Sequence, residues 1–476
     1  MVNPQYYSPS DVTYQKPRTL VLCFDGTANE FNDSNTNVVK LYSVLKKNSP
    51  ESQLCYYQES AGIGTYFQPG VVAPFFRTVA RVLDEAFAWY LSEHIRDGYQ
   101  FLMQNYHEGD SVCLFGFSRG AYTARALAGM LHKVGLLSKD NLEQIPFAYK
   151  LYKDTRPQVN KLAYRFKKSF CREVPIEFLG VWDTVASVGI LKPTTLPFVG
   201  TNDMIRVFRQ ALSLDECRAK FSPNTHHRPI IPQRLGPRPS LKTIVRALTV
   251  FKIRRTRDTP NAPLGPRVYT SLGKHEVVKV DVKEVWFAGS HSDVGGGLAK
   301  DTEEHALSNI SLRWMIREIV KARCHIQFDE AVLEEWRVPT TTILGEDLTR
   351  KMTRDDHATL TEGEMSTSST LGKNAPAPSP SMFTEQSLDA FDAVQKMGNA
   401  LRDTPFWWIV ELIPTYHEWQ NERDEWIGKW RFHFGRGREV PPRPLFHESV
   451  RIRMNSPVLN YTPKAQYEKG TEEYVM

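Results

Sequence analysis

The chain has 476 residues, of which 41% are hydrophobic and 24% charged. That is enough apolar material for a large folded core, and it excludes a disordered or fibrous chain. The net charge of +6 is local: nine basic residues and no acidic one fall between positions 228 and 257, leaving the remainder of the chain net acidic.

Residues 1–17 are polar and tyrosine-rich, without the basic-then-apolar order of a secretory signal, so a tail and a cytoplasmic default are expected. No window approaches the ~18 uncharged apolar residues that a membrane-spanning helix needs. The longest apolar run, 406–413, is interrupted by Glu411. Six cysteines without a CxxC or a paired Cys/His spacing predict neither a disulfide framework nor a structural zinc site.

Short apolar runs alternate with helical patterns along the first part of the chain. Strands are expected at 20–24, 54–57, 112–117, 176–182 and 284–288, with helices at about 77–104, 119–131 and 305–320. The alternation predicts an α/β fold with a mostly parallel central sheet, and the continuous apolar character of the strands predicts helices on both faces. Residues 18–350 form the expected catalytic domain, carrying a basic insertion at about 222–268. A low-complexity linker is expected within 351–385, because fourteen of the sixteen residues from 366 to 381 are Ser, Thr, Pro, Gly, Ala or Asn. A Trp-rich region, 386–476, follows and is expected to be helical or irregular and to pack on the catalytic domain.

The strongest chemical signal is an apolar strand, 112–117, that ends in Gly116-Phe117-Ser118-Arg119-Gly120 and runs into a helix. This is the context of a nucleophile elbow. Glycines flank the serine because a sharp strand-to-helix turn leaves no room for a Cβ there. Arg119 N–H, at the helix start, is the expected donor to an oxyanion, and Gly26 or Thr27, after the first strand, the second. A serine nucleophile needs a base and an orienting acid, which in this architecture follow in the order Ser, Asp, His. Asp183 follows the strand 176–182 and His291 follows the strand at 284–288, both at the edge where Ser118 emerges. Asp183 is equally able to cap a turn with Thr184, and His291 to bond within its own loop. Asp293 competes with Asp183 for the imidazole, and Asp25 is a further acid or a turn-former.

Taken in order, the motifs FDGT, GxGT, GFSRGAYTARALAG, FLGVWDTVASVG, ALSLDECRAKF and WFAGSHSDVGGG resemble the DUF2235 family, the α/β-hydrolase domain of Tle1-type phospholipase effectors and of many fungal homologues. The resemblance spans residues 18–317, and the C-terminal Trp-rich part with Phe446-His447-Glu448-Ser449-Val450 resembles the fungal members. It implies a serine hydrolase of ester bonds, phospholipids above all, with Ser118 as nucleophile. Family helices that resemble 207–221 often carry a histidine near the position of Gln210, and its absence here argues against a base from that helix.

The expected activity is therefore a lipase- or phospholipase-like serine esterase acting on a small-molecule or lipid ester, with no cofactor and no metal. Apolar stretches at 71–76, at Phe87 to Leu91 and at 406–413 are candidates for an acyl-binding mouth or for core packing. The basic stretch 228–257 offers a peripheral contact with an anionic membrane surface or a solvated loop. Nucleic acid is not expected as a partner, since no groove-reading motif accompanies the basic run. Two other classes fit the strand-end residues: a metal-assisted phosphoester hydrolase using Asp25, Asp183, His291 and Asp293, and a non-enzymatic binding scaffold.

Overall fold

The structure, a computed structural model, describes residues 17–27, 32–60, 76–185, 196–226, 280–339, 342, 384–405, 407–412, 415–420 and 426–476. The basic stretch 228–257, the linker 366–381, the glycine loop 62–65 and the apolar run 71–75 lie outside the described residues, as do the side chains of 76–90.

The chain begins with strand β1 (Thr19–Thr27), helix α1 (Asn37–Val44), strand β2 (Gln53–Ser60), the long helix α2 (Phe76–Asn105) and strand β3 (Ser111–Phe117). Helix α3 (Ser118–Val134) follows β3 without a linker. A small excursion comes next: β4 (Leu136–Leu137), α4 (Ile145–Lys153), α5 (Pro157–Phe170) and β5 (Cys171–Arg172), with β4 and β5 paired antiparallel. The chain then returns to the sheet through β6 (Ile176–Trp182), β7 (Ile205–Ser213) and β8 (Asp281–Phe287), followed by α6 (His291–Gly295), α7 (Leu307–Ala322) and α8 (Glu330–Glu335). The C-terminal part holds α9 (Glu385–Ala393), α10 (Ala400–Asp403), α11 (Trp407–Glu411), the hairpin of β9 (Thr415–Gln420) and β10 (Trp426–Arg431), β11 (Leu445–His447), α12 (Glu448–Asn455) and β12 (Glu473–Val475).

Eight strands form one sheet in the order β12-β11-β8-β7-β6-β3-β1-β2, and every neighbouring pair is parallel. Both faces are covered. Leu20, Leu22, Leu114 and Leu179 face a core shared with α2 and α3, whereas Val21, Cys23, Phe115 and Phe178 face one shared with α1 and α7. Alternate residues of one strand enter opposite cores, which is why these strands read as unbroken apolar runs. The mostly parallel sheet with helices on both faces is the architecture expected from the sequence, with strands β7, β11 and β12 added to it.

Two expected elements are corrected. The segment 207–221, likened to a helix, is instead the strand β7 and a loop, and only Ala219–Phe221 makes a single 3₁₀ turn. Its polar side chains are what disguised it. Arg209 is buried because Glu318 accepts from Nε at 2.6 Å and Asp281 from Nη2 at 2.7 Å, and Gln210 donates to Glu284 at 2.7 Å. Gln210 therefore lies inside a sheet strand, and the identity of that side chain carries no information about a helix-borne base.

The C-terminal region, expected to be helical or irregular, instead joins the same sheet, with β11 paired to β8 and β12 to β11, because its Phe446 lies in the apolar core beside Trp286. A buried ionic cluster fastens it: Arg313 of α7 donates to Asp389 at 2.9 and 2.5 Å and to Asp392 at 2.5 Å, both carboxylates lying on α9. Removing one partner of such a cluster leaves buried charge without compensation, at a cost of about 3–5 kcal/mol. Arg313→Met should therefore lower the stability of the full chain by about that amount in a urea titration, and an unchanged midpoint would show that these carboxylates are compensated without it.

Candidate active site

Ser118 is the first residue beyond β3, and its backbone sits in the left-handed region at φ 57°. That conformation is rarely adopted by a non-glycine residue without a reason, and it is the signature of a strained strand-to-helix elbow. The flanking glycines are sterically required. A Cβ on Gly116 would stand 2.6 Å from Gly120 O and 2.7 Å from Ala121 Cα, and one on Gly120 would run into the carbonyl oxygens of Phe24 and Asp25. The elbow is thus pressed against the end of β1, which brings Gly26 and Thr27 to the same rim. Arg119 follows at the start of α3. Because β1 is flanked by β2 on one side and β3 on the other, Ser118 stands where the strand order reverses, the crevice at which parallel α/β sheets bind their ligands.

The pairing register delivers the next residue. Phe117 is paired with Trp182, so Ser118 and Asp183 are each the first residue past a matched strand end. Asp183 also has a left-handed backbone, at φ 42°, and is fully buried. His291 opens α6 after β8, two strands further along. Its Nδ1 lies 2.5 Å from Asp183 Oδ2, and its ring packs on Phe117 at a centroid distance of 4.6 Å and edge-on to Phe221 at 4.9 Å. Three strand ends therefore converge: the serine, the acid and the imidazole gather at one edge of the sheet.

The two competing acids have other partners. Asp293 forms a capping box with Ser290, accepting from its N–H at 2.8 Å and its hydroxyl at 2.7 Å, and it also accepts from Gly398 N–H. Asp25 accepts from Gly26 N–H at 2.6 Å, from the Thr36 hydroxyl and from the Tyr57 hydroxyl at 2.9 Å. Burial pushes its carboxyl up to about 6, against the pull of these donors. The bond from Gly26 turns that N–H toward Asp25, while Thr27, the last residue of β1, is paired with Ser60 of β2.

Asp183 is charged. Burial raises its carboxyl, but the positive charge of Arg438 and the bond to His291 overcome this and hold it well below the usual carboxylate range. An ionised carboxylate only accepts, so His291 Nδ1 carries the proton and Nε2 is left as the acceptor. Burial lowers the imidazole pKa, opposed by Asp183, so the ring is neutral at neutral pH. Such a pair can take a proton through Nε2 and return it.

Arg438 was not legible as a site residue. It reaches Asp183 from the C-terminal part, with Nη1 2.6 Å from Oδ1 and Nη2 2.9 Å from Oδ2. Ser213, at the end of β7, adds its N–H at 3.0 Å and its hydroxyl at 3.3 Å. Nearby, Asp215 holds Gly289 N–H, the Tyr461 hydroxyl and Lys464 N–H, and Glu216 accepts from the His291 backbone N–H while paired with Arg218. The Arg218 guanidinium lies over the Phe221 and Trp407 rings. Among the described residues, no group of three or more His, Cys, Asp or Glu side chains is arranged to hold a metal ion. No described helix is long and apolar enough to cross a membrane.

Residues 18–318 match the family model for the T6SS phospholipase effector Tle1-like catalytic domain. A Saccharomyces cerevisiae relative, the uncharacterized protein YEL023C, is 29% identical over 95% of this chain and 80% of its own length. Among solved structures, an uncharacterized protein from Pseudomonas aeruginosa is 20% identical, with a TM-score of 0.34 over 81% of this chain and 54% of the other. The Tle1 effector bound to the VgrG spike of the Type 6 secretion system is 17% identical, with a TM-score of 0.29 over 61% and 53%. The chain thus spans about half the length of the solved structures it matches.

The geometry sets an expected proton position. Nitrogen-15 spectra at neutral pH should show His291 as the neutral ring protonated at Nδ1, and a ring protonated at Nε2 would contradict the assignment of Asp183 as an ionised acceptor.

Proposed function

This chain belongs to the Tle1-like phospholipase catalytic-domain family, and from that premise we propose that it is a serine hydrolase of carboxylic esters, with phospholipids as its substrate class. The observation that carries the reading is the 2.5 Å contact between His291 Nδ1 and Asp183, at the sheet edge where Ser118 is held in a left-handed turn. Ser118 Oγ attacks the acyl carbonyl while His291 Nε2 takes its proton, and an acyl-enzyme forms as the alcohol leaves with the proton returned by the imidazolium. Water then repeats the sequence on the acyl-enzyme and releases the acid. Asp183 holds the ring in the required tautomer. The backbone N–H of Arg119 receives the oxyanion, with that of Thr27, at the end of β1, as the second donor.

A lipid substrate is supported by the surroundings of the imidazole. Phe221 touches His291, Trp407 meets Phe221 edge-on at 5.6 Å, and Trp408, next to Trp407 in α11, is exposed. Exposed large apolar side chains beside a reactive centre are what an acyl chain would use. The peripheral membrane contact proposed for the basic stretch 228–257 adds to this reading only through charge, with each basic residue near an anionic surface worth about 1 kcal/mol.

The test is labelling with a fluorophosphonate probe, followed by peptide mapping. The adduct should fall on Ser118, persist in chelator and disappear in Ser118→Ala and His291→Ala. Asp183→Asn should slow labelling by about 10⁴-fold, since an amide cannot fix the productive tautomer. Retained esterase activity in a folded Ser118→Ala protein, or loss of activity with chelator alone, would refute the mechanism.

A further inference from the structure

Resting on that serine-hydrolase reading, we propose that Arg438, supplied by the C-terminal segment beyond the family-matched span, is a positioning residue of the Asp183–His291 pair that fixes the carboxylate and offsets its charge. The geometry is specific to a guanidinium. Two nitrogens reach two oxygens of one carboxylate, at 2.6 and 2.9 Å, which orients its plane as a single point charge cannot. Arg438 is itself anchored by Ser213 O at 3.1 Å, the Ser213 hydroxyl at 2.7 Å and Phe221 O at 2.6 Å. The side chains of Arg438 and Asp183 are 3% and 0% exposed, so their attraction is weakly screened.

The consequence for chemistry follows from where the charge sits. Arg438 contacts Asp183 and not the imidazole, so it stabilises the carboxylate whatever the state of the ring while disfavouring a second positive charge on His291. The base then stays neutral to lower pH than an Asp–His pair without a cation. Other charged groups face the pair from its surroundings. Glu216, after β7, accepts from His291 N–H but is tied to Arg218; Asp215 is held by Tyr461 and Lys464; Asp293, on α6 itself, is turned to Ser290 and Gly398. Among the described residues, Arg438 is the only arginine or lysine paired with Asp183.

The experiment is the rate of fluorophosphonate labelling of the full chain between about pH 5 and 9, for the native sequence, His291→Ala, Arg438→Met and Arg438→Lys. The native rate should rise with pH along a limb that His291→Ala abolishes. Arg438→Met should lower the neutral-pH rate about tenfold or more and move the midpoint of that limb upward by about one pH unit. Arg438→Lys, which keeps the charge but not the fork, should lose rate with the midpoint in place.

A folded Arg438→Met protein with the native midpoint overturns the inference, whether or not its rate falls, because an arginine that merely anchors the segment would leave the limb unmoved. Should Arg438→Met prove unfolded in a thermal melt, Arg438→Lys decides: a native rate at every pH overturns the positioning role, and a tenfold loss at an unmoved midpoint sustains it. Absence of His291-dependent labelling in the native protein overturns the serine-hydrolase reading itself, and this inference with it.

Discussion

The buried carboxylate of Asp183 is the constraint around which the site is assembled. An anion with no access to water is unfavourable unless its oxygens are fully occupied, and here His291, Ser213 and Arg438 occupy them. These partners come from the end of β7, the start of α6 and the approach to β11. The acid is thus satisfied only when distant parts of the sheet and the C-terminal segment are in register. Folding and assembly of the site are one event at this point, because the same contacts that relieve the desolvation penalty also aim the imidazole.

The parallel sheet makes this convergence possible. Side-by-side parallel strands end at a common edge, and the residue after each strand is displayed there. The match of Phe117 to Trp182 aligns Ser118 with Asp183, and that of Ser213 to Phe287 brings Ser213 beside the loop that leads to His291. Both Ser118 and Asp183 need a left-handed backbone to turn away from the strand direction. Strain of this kind costs on the order of 1–3 kcal/mol per residue, and it persists because the flanking glycines, the β1 carbonyls and the arginine leave no relaxed alternative.

How much of this could be read from the sequence depends on how local each signal is. Strands β1, β3 and β6 announce themselves as apolar runs because both faces are covered, and the elbow announces itself because two glycines must flank the serine. Strand β7 did not, since Arg209 and Gln210 interrupt the apolar run and the segment is likened to a family helix. Only the positions of Glu318, Asp281 and Glu284 explain how a strand buries them. The choice between Asp183 and Asp293 was likewise invisible. Asp293 is two residues from His291 in sequence, but a short helix beginning at His291 turns it back to cap Ser290, whereas Asp183 is 108 residues away and in contact.

Arg438 marks the limit of motif reading most clearly. It stands 255 residues from Asp183 in a segment of no evident periodicity, and nothing in its neighbours' chemistry signals a site. Its place follows from topology: β11 adds to the sheet beside β8, so the chain leading into β11 must pass the edge where His291 and Asp183 lie. A segment that completes a sheet acquires access to the sheet's functional edge. In this protein the C-terminal strands and the charge on Asp183 are consequences of a single docking arrangement, to which the buried Arg313 cluster adds a second attachment.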